Sequence, residues 1–382
     1  MTKAQKTTLG VLCAIACVTL LAVLYTASQA YQSWSQQPLG PTLAYPTEWK
    51  LPATWTASAS PAASPAAAAA TSQPSITPVP ILTQTPNSPF LTCNHLPPLT
   101  VLAIGTDVRP GERRHGLTDF MRAVRVDFQQ QRVTSLEFPR DLWVEIPGIE
   151  ENLGTKYQKL NTAYTYGQPD FGPSLLARTL DLNFGLKVDH YIVANMTVFA
   201  DVVDALGGLD VTIPEGGIDG RTSTDRSARL IFPEGPQHLT GEQALTLARL
   251  RNVSVFERAE HQNMVMCALR KKIERPETIF RLPAIIDSFM DNVQTDLTPQ
   301  QISQLACLGT QMPRSNIAFA SFPLKLFEPD ETYDAVLEQD VFVWRADTRT
   351  MRIYISEFQD GTWPSTSPSP AGTPEPEASG CE

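Results

Sequence analysis

What the chain lacks narrows its function first. Among its 382 residues there is no GxxxxGK[ST] loop, so nothing signals a nucleotide triphosphatase. No GxSxG elbow is present, which removes the usual mark of a serine hydrolase. The five histidines, His95, His115, His190, His238 and His261, make no HExxH-type ligand spacing. The six cysteines form no CxxC pair, so a thiol redox centre or zinc site is not indicated. Charged residues are scarce at 18%, and their balance of -10 argues against general nucleic-acid binding. Lysine is missing from one stretch where arginine is not. Seven arginines and no lysine lie from Arg109 to Arg140. A rigid fork of donors, rather than diffuse positive charge, is what that bias supplies.

Two further absences set the domain organisation. No charged residue interrupts residues 7–27, "TTLGVLCAIACVTLLAVLYTA", and the run follows Lys3 and Lys6. This predicts a transmembrane signal-anchor after a cytoplasmic stub of residues 1–6, with the body exported. Ser28-Gln29-Ala30 is a small-x-small site at which a signal peptide could instead be cleaved. Residues 28–92 are rich in Pro, Ser, Thr and Ala, lack an apolar period, and read as a disordered linker. The tail 359–382 reads the same way. Residues 93–358 remain as one folded domain, long enough for one large core. In an exported domain disulfides are permitted, and Cys267 with Cys307 is the pair to test.

Short apolar runs alternate with helical patterns across that domain. "LTVLAIGTD", "RAVRVDF", "RVTSLEF", "LWVEIPG", "DHYIVANM" and "LDVTIPE" read as strands. "GPSLLARTLDLNFG" reads as a helix with Pro173 near its start and Gly185 as its stop. "TVFADVVDALGG" carries Phe199, Val202, Val203 and Leu206 on one helical face. Thr240 and Thr298 are expected to cap two more helices, and a longer one follows Phe256 and ends before Pro276. "IAFASFP" and "MRIYISEF" read as edge strands. The pattern predicts a layered α/β/α domain around a central mixed sheet.

Candidate site residues cluster at strand ends. In "VLAIGTDVRPGERRHGLTDFMRAVRVDF", Asp107 leaves one strand and Asp119 opens the next, with Arg109, Arg113 and Arg114 between. Two acids at a sheet edge could hold a divalent cation, and arginines beside it suit a phosphate. An ordinary charged hairpin loop is the alternative. Pro139 places Arg140 at a strand end, where a bare Arg140–Asp141 loop is the alternative. Arg258 and Gln262 continue the apolar stripe of the long helix, an expensive place for a guanidinium without a ligand. Snorkelling, or pairing with Glu257 or Glu260, is the alternative. Arg249 and Arg251, two apart, cannot serve one ligand from a regular helix, so the helix is expected to end near Arg249.

"GTDVR", "TDF", "FPRDLWVEIPG", "KLNTAYTYG", "DHYIVANMTVFADVVDALGGLDVTIP", "LTGEQALTLARLR" and "ERAEHQ" occur in an order that resembles the LytR-CpsA-Psr family, over roughly residues 99–300. The resemblance implies a membrane-anchored, extracytoplasmic protein with a deep apolar pocket for a polyprenyl chain. It implies transfer of a glycopolymer, teichoic-acid-like in kind, from a polyprenyl-pyrophosphate carrier to peptidoglycan with Mg²⁺. It assigns Asp107 and Asp119 to the metal and pyrophosphate. Arg140, Arg249 and Arg251 are assigned to catalysis. Arg258 and Gln262 are assigned to substrate; Lys159, Asn161 and Arg109 are further substrate-binding candidates, as are Arg113 and Arg114, which could replace the arginine missing at Leu117. The lipid is expected against Phe199, Val203, Val265 and Leu269. Two positions depart from the family pattern: Leu117 and His261 stand where arginines are usual. A pyrophosphatase acting on the same lipid, and a non-catalytic envelope regulator, are the rival readings.

Overall fold

A run of eight residues, Leu99–Thr106 (β1), starts the domain, and its pattern of near-continuous burial places it mid-sheet. Antiparallel to it runs Thr118–Asp127 (β2), and residues 128–131 turn the chain into Arg132–Glu137 (β3). Then follow Trp143–Glu145 (β4), the short helix Glu150–Leu153 (α1), Tyr157–Lys159 (β5), Leu160–Tyr166 (α2) and Gly172–Phe184 (α3). His190–Asn195 (β6) returns parallel to β1 and leads into Met196–Ala205 (α4). Leu209–Ile213 (β7), Ile218–Asp219 (β8), Ile231–Phe232 (β9) and Gly235–Leu239 (β10) form small pairs. The helices Gly241–Arg249 (α5) and Val255–Ile273 (α6) come next. Val293–Thr295 (β11), Pro299–Gln311 (α7), Ile317–Ala320 (β12), the hairpin Phe327–Asp334 (β13) with Gln339–Ala346 (β14), Thr348–Asp360 (α8) and Ser379–Gly380 (β15) complete it. This computed structural model describes residues 25–26, 28–43, 96–107, 116–168, 171–222, 230–250, 255–275, 293–364 and 379–380.

The main sheet has the order β11-β6-β1-β2-β3-β12-β15, with both parallel and antiparallel neighbours. This is the expected central mixed sheet of an α/β protein. Alternation along each strand divides side chains between two faces. Leu102, Ile104, Met121, Ala123, Leu136 and Tyr191 face a large core filled by α2, α3 and α8. On the opposite face, Val101, Val126 and Phe128 pack against Leu308 and Met312 at one end. Helices α4, α5 and α6 share a separate apolar cluster with β7 and β10, centred on Val203, Leu209, Leu247 and Val265. Gly241 permits the close crossing of α4 and α5: a Cβ there would sit 2.0 Å from the Ala200 carbonyl oxygen.

Helix boundaries follow their capping residues. Thr240 and Thr298 each accept from the backbone N–H three residues on, and Gln243 and Gln301 reach back to complete capping boxes. Gly185 ends α3 at φ 79°, a conformation that suits glycine. One expected strand is instead a helix. "MRIYISEF" lies inside α8, because Met351, Ile355 and Phe358 bury one helical face and Asp347 caps the start.

The expected domain limits also change. Residues 28–35, placed in the linker, are helical. Beyond them the Leu39 N–H donates to the Leu297 carbonyl (3.2 Å), and the Tyr191 hydroxyl donates to the Pro41 carbonyl (2.8 Å). Gly40 approaches Thr295 so closely that a Cβ would lie 2.7 Å from its carbonyl oxygen. Leu43 packs on the main core, so apolar contact holds this segment to the domain. At the other end the domain passes residue 358. Trp363 is buried and stacks on Phe322, and β15 pairs with β12. The expected anchor at 7–27 lies outside the described residues except for 25–26. Among the described residues no helix is long and apolar enough to cross a membrane. Cys267 and Cys307 are both disulfide-bonded.

Candidate active site

Asp119 owes its direction to a bulge. Gly105 pairs with Phe120, but Thr106 pairs with Thr118, so Asp119 is the extra residue on β2. A bulge reverses the alternation of the strand beyond it. Thr118 therefore faces the closed core, donating to the Asn161 carbonyl (3.1 Å), while Asp119 lines the opposite side with Phe120 and Arg122. Asp107 stands one residue past β1, at the same end of the sheet. Its backbone N–H donates to the Leu117 carbonyl (3.1 Å).

Arg140 enters from the loop after β3. Leu142 N–H closes that loop onto the Pro139 carbonyl (3.3 Å), and Asn161 N–H holds the Arg140 carbonyl (3.1 Å). The guanidinium pairs with Asp119 through Nη1 and with Asp141 through Nε at 3.3 Å. Lys159 Nζ reaches the other Asp141 oxygen at 3.2 Å. Burial works against the charge of Arg140, but Asp119 and Asp141 outweigh it and raise its pKa. Burial likewise opposes the Asp141 carboxylate, yet Arg140 and Lys159 hold it below the usual carboxylate range. Lys159 and Asn161 thus support the Arg140 loop from beneath.

The third side of the site comes from α5 and α6. Arg249 is the last residue of α5, and its Nη2 lies 3.5 Å from Asp107 Oδ2. Arg258 and Gln262 are 3% and 6% exposed, so the buried stripe on α6 is real and neither side chain snorkels to solvent. Between these helices and the sheet lies a cavity of about 240 Å³. Asp119, Arg249, Arg258 and Gln262 line it together with Ala103, Gly105, Phe199, Val265 and Phe319. Of the four expected lipid contacts, Phe199 and Val265 reach the cavity. Val203 and Leu269 pack instead into the helical cluster behind.

The structure thus gathers Asp107, Asp119, Arg140, Arg249, Arg258 and Gln262 about one cavity mouth and wall. Arg109, Arg113, Arg114 and Arg251 lie outside the described residues. Sequence reasoning missed Arg122 and Glu137. Arg122 points into the cavity at 2% exposure, paired with Glu137 at 3.3 Å. Its signal was present: a charge between Phe120 and Val124 on one strand face. Leu117, where the family pattern has arginine, is 40% exposed, and His261 is 8% exposed.

Magnesium suits this donor set in kind. Asp107 and Asp119 offer hard carboxylate oxygens, and Mg²⁺ is commonly held by one or two carboxylates plus substrate phosphates. Among the described residues no group of three or more metal-ligating side chains gathers. Two carboxylates at the mouth of a cavity fit such an ion when a phosphate completes its shell.

Comparison with known proteins agrees with this architecture. The profile of the LytR_cpsA_psr family matches residues 63–350. The Bacillus subtilis polyisoprenyl-teichoic acid–peptidoglycan teichoic acid transferase TagV is 28% identical over 203 residues, covering 52% of this chain and 50% of that protein. Its Bacillus cereus counterpart TagU is 30% identical over 209 residues, covering 54% and 62%. The Staphylococcus aureus regulatory protein MsrR is 28% identical over 209 residues, covering 54% and 58%. The match therefore spans about half to three fifths of these relatives. Among solved structures, B. subtilis TagV superposes with a TM-score of 0.52 at 23% identity, over 69% of this chain and 98% of the other. TagT bound to LI-WTA gives 0.53 at 21% identity, over 72% and 94%.

Proposed function

Because the chain belongs to the LytR_cpsA_psr family, we propose that it transfers a glycopolymer from a polyprenyl-pyrophosphate carrier to peptidoglycan. The observation that carries this reading is the junction of two chemistries. An apolar cavity opens at a mouth where Asp107 meets Arg249 and Asp119 meets Arg140. A prenyl chain would lie against Phe199 and Val265, gaining roughly 0.8 kcal/mol per buried methylene. Its diphosphate would remain among the arginines. TagV and TagU, by their names, act on polyisoprenyl-linked teichoic acid and peptidoglycan, which supports this substrate class.

Phosphoryl transfer asks chiefly for positioning and charge neutralisation. Arg140 and Arg249 would bind phosphate oxygens, and Arg258 and Gln262 would fix the headgroup from α6. Asp107 and Asp119 would hold Mg²⁺, which supplies charge neutralisation to the diphosphate when bound. An acceptor sugar hydroxyl attacks the phosphorus that bears the glycan. The bond from that phosphorus to the bridging oxygen breaks, and polyprenyl phosphate leaves. The hydroxyl proton passes to a mouth carboxylate or to water. In this reading residues 7–27 anchor the protein in the cell membrane with the domain extracytoplasmic.

Purified full-length protein, a lipid-linked glycopolymer, Mg²⁺ and peptidoglycan test the proposal. Polyprenyl phosphate should be released only with acceptor present, with glycopolymer becoming covalently bound to it, and chelation should stop both. Release at the same rate without acceptor would identify a pyrophosphatase instead.

A further inference from the structure

Each described acidic group at the cavity mouth already has a cation: Asp119 has Arg140, Asp107 has Arg249, and Asp141 has Lys159 as well as Arg140. Deeper in, the balance fails. Arg122 and Arg258 are both buried and line the cavity, and among the described residues Glu137 is the carboxylate they share. Among the described residues one positive charge is left over in this poorly solvated space.

The hydrogen bonds of Arg122 show the same deficit. A guanidinium carries five N–H donors. Here Nη2 reaches Glu137 Oε2 at 3.3 Å and Gln262 Oε1 at 3.4 Å. Nε and Nη1 are buried with no partner, and so is Nε of Arg258. Phe120 and Phe319 lie against the Arg122 guanidinium at 5.4 and 5.6 Å, holding it without satisfying its donors. A purely structural ion pair would use the bidentate fork on its carboxylate. This one makes a single long contact. Buried donors are nearly always partnered in folded proteins, so open donors on two residues that line a cavity point to a missing acceptor. Burial depresses the pKa of both arginines, offset only in part by Glu137 and, for Arg258, also by Asp119 and Asp141.

We propose that Arg122 and Arg258 form an inner anion site in the cavity wall that takes a phosphoryl group. Arg122 faces Ala103 across β1 and β2, two pairs inward from Gly105–Phe120, while Asp119 stands at the mouth. Three residues of strand span about 10 Å, a distance the arginine side chain shortens. The site therefore lies within reach of a diphosphate held at the mouth. It rests on the reading of this cavity as a lipid-diphosphate site and adds to it. The exposed Leu117 offers no charge at the rim, and Arg122 supplies one from below.

Inorganic pyrophosphate, titrated calorimetrically into detergent-solubilised full-length protein with Mg²⁺, isolates the anion chemistry from the lipid. Wild type should bind. The double variant Arg122→Met with Glu137→Met removes the pair together and leaves Arg258 as the inner guanidinium, and replacing both partners of a buried pair is often neutral for folding. Its affinity should fall about tenfold or more. Arg122→Lys keeps charge but loses the fork, and should fall in between. It also supplies the answer if the double variant does not fold. Wild-type affinity in either folded variant, or no pyrophosphate binding by wild type, overturns the inner site. Failure of wild type to transfer glycopolymer, with this affinity pattern intact, would count against the proposed function alone.

Discussion

The two faces of the central sheet are built from the same strands and behave as opposites. Toward α2, α3 and α8, the strands present Leu102, Ile104, Met121, Ala123 and Leu136, and the space is filled. Toward α4, α5 and α6, the same strands present Ala103, Gly105, Arg122 and Glu137, and a cavity remains. Small residues create room on one side, and buried charge is tolerated there at a cost in stability. The closed face carries the folding energy that makes this cost bearable. Stability and chemistry are thus separated by the period of two along each strand.

The sharpest way to break the comparison is to empty the closed face. Leu102→Ala should destabilise by about 2–5 kcal/mol, read from denaturant unfolding, while leaving transfer at low temperature near wild type. On the open side, Asp119→Asn should cut transfer at least about a hundredfold, close to 2.7 kcal/mol of barrier, with stability changed by less than about 1 kcal/mol. Near-normal, Mg²⁺-dependent turnover would remove Asp119 from the site. Ala103 neighbours Leu102 but faces the cavity. Ala103→Leu should fill it and lower transfer by about tenfold, some 1.4 kcal/mol, with little loss of stability.

The smallest effect is a slope with pH. Burial raises the Glu137 pKa, and Arg122 and Arg258 offset this only in part. The folded state therefore holds the proton more tightly than the unfolded state. The corresponding stability is present below the ordinary carboxylate range and is lost as pH rises through the raised value. Glu137→Gln should thus gain on wild type between pH 4 and pH 7 in urea melts. A constant difference across that range would show that Glu137 is not perturbed.

The difference between the faces was only partly legible beforehand. Strand ends with Asp107, Asp119 and Arg140 stand out, because charge follows directly on apolar runs. Arg258 and Gln262 stand out because they continue an apolar helical stripe. Helix starts at Thr240 and Thr298 were readable from local chemistry, since a cap is made within four residues. The bulge at Asp119 was not readable, because it depends on how β1 and β2 align. The same dependence hid Arg122 and Glu137, which meet only across β2 and β3. In "MRIYISEF" alternation and helical spacing compete, and packing of Met351, Ile355 and Phe358 decided for the helix. The β13–β14 hairpin gave no clear signal, as many of its residues are exposed and polar.

The docked segment at Leu39–Leu43 has a mechanical consequence. A pull on the N-terminal end reaches the sheet at Leu297 and Tyr191 before it reaches residues 44–95. The bonds there act as a catch. Load arriving from that side is therefore borne by a few contacts beside β11 and β6.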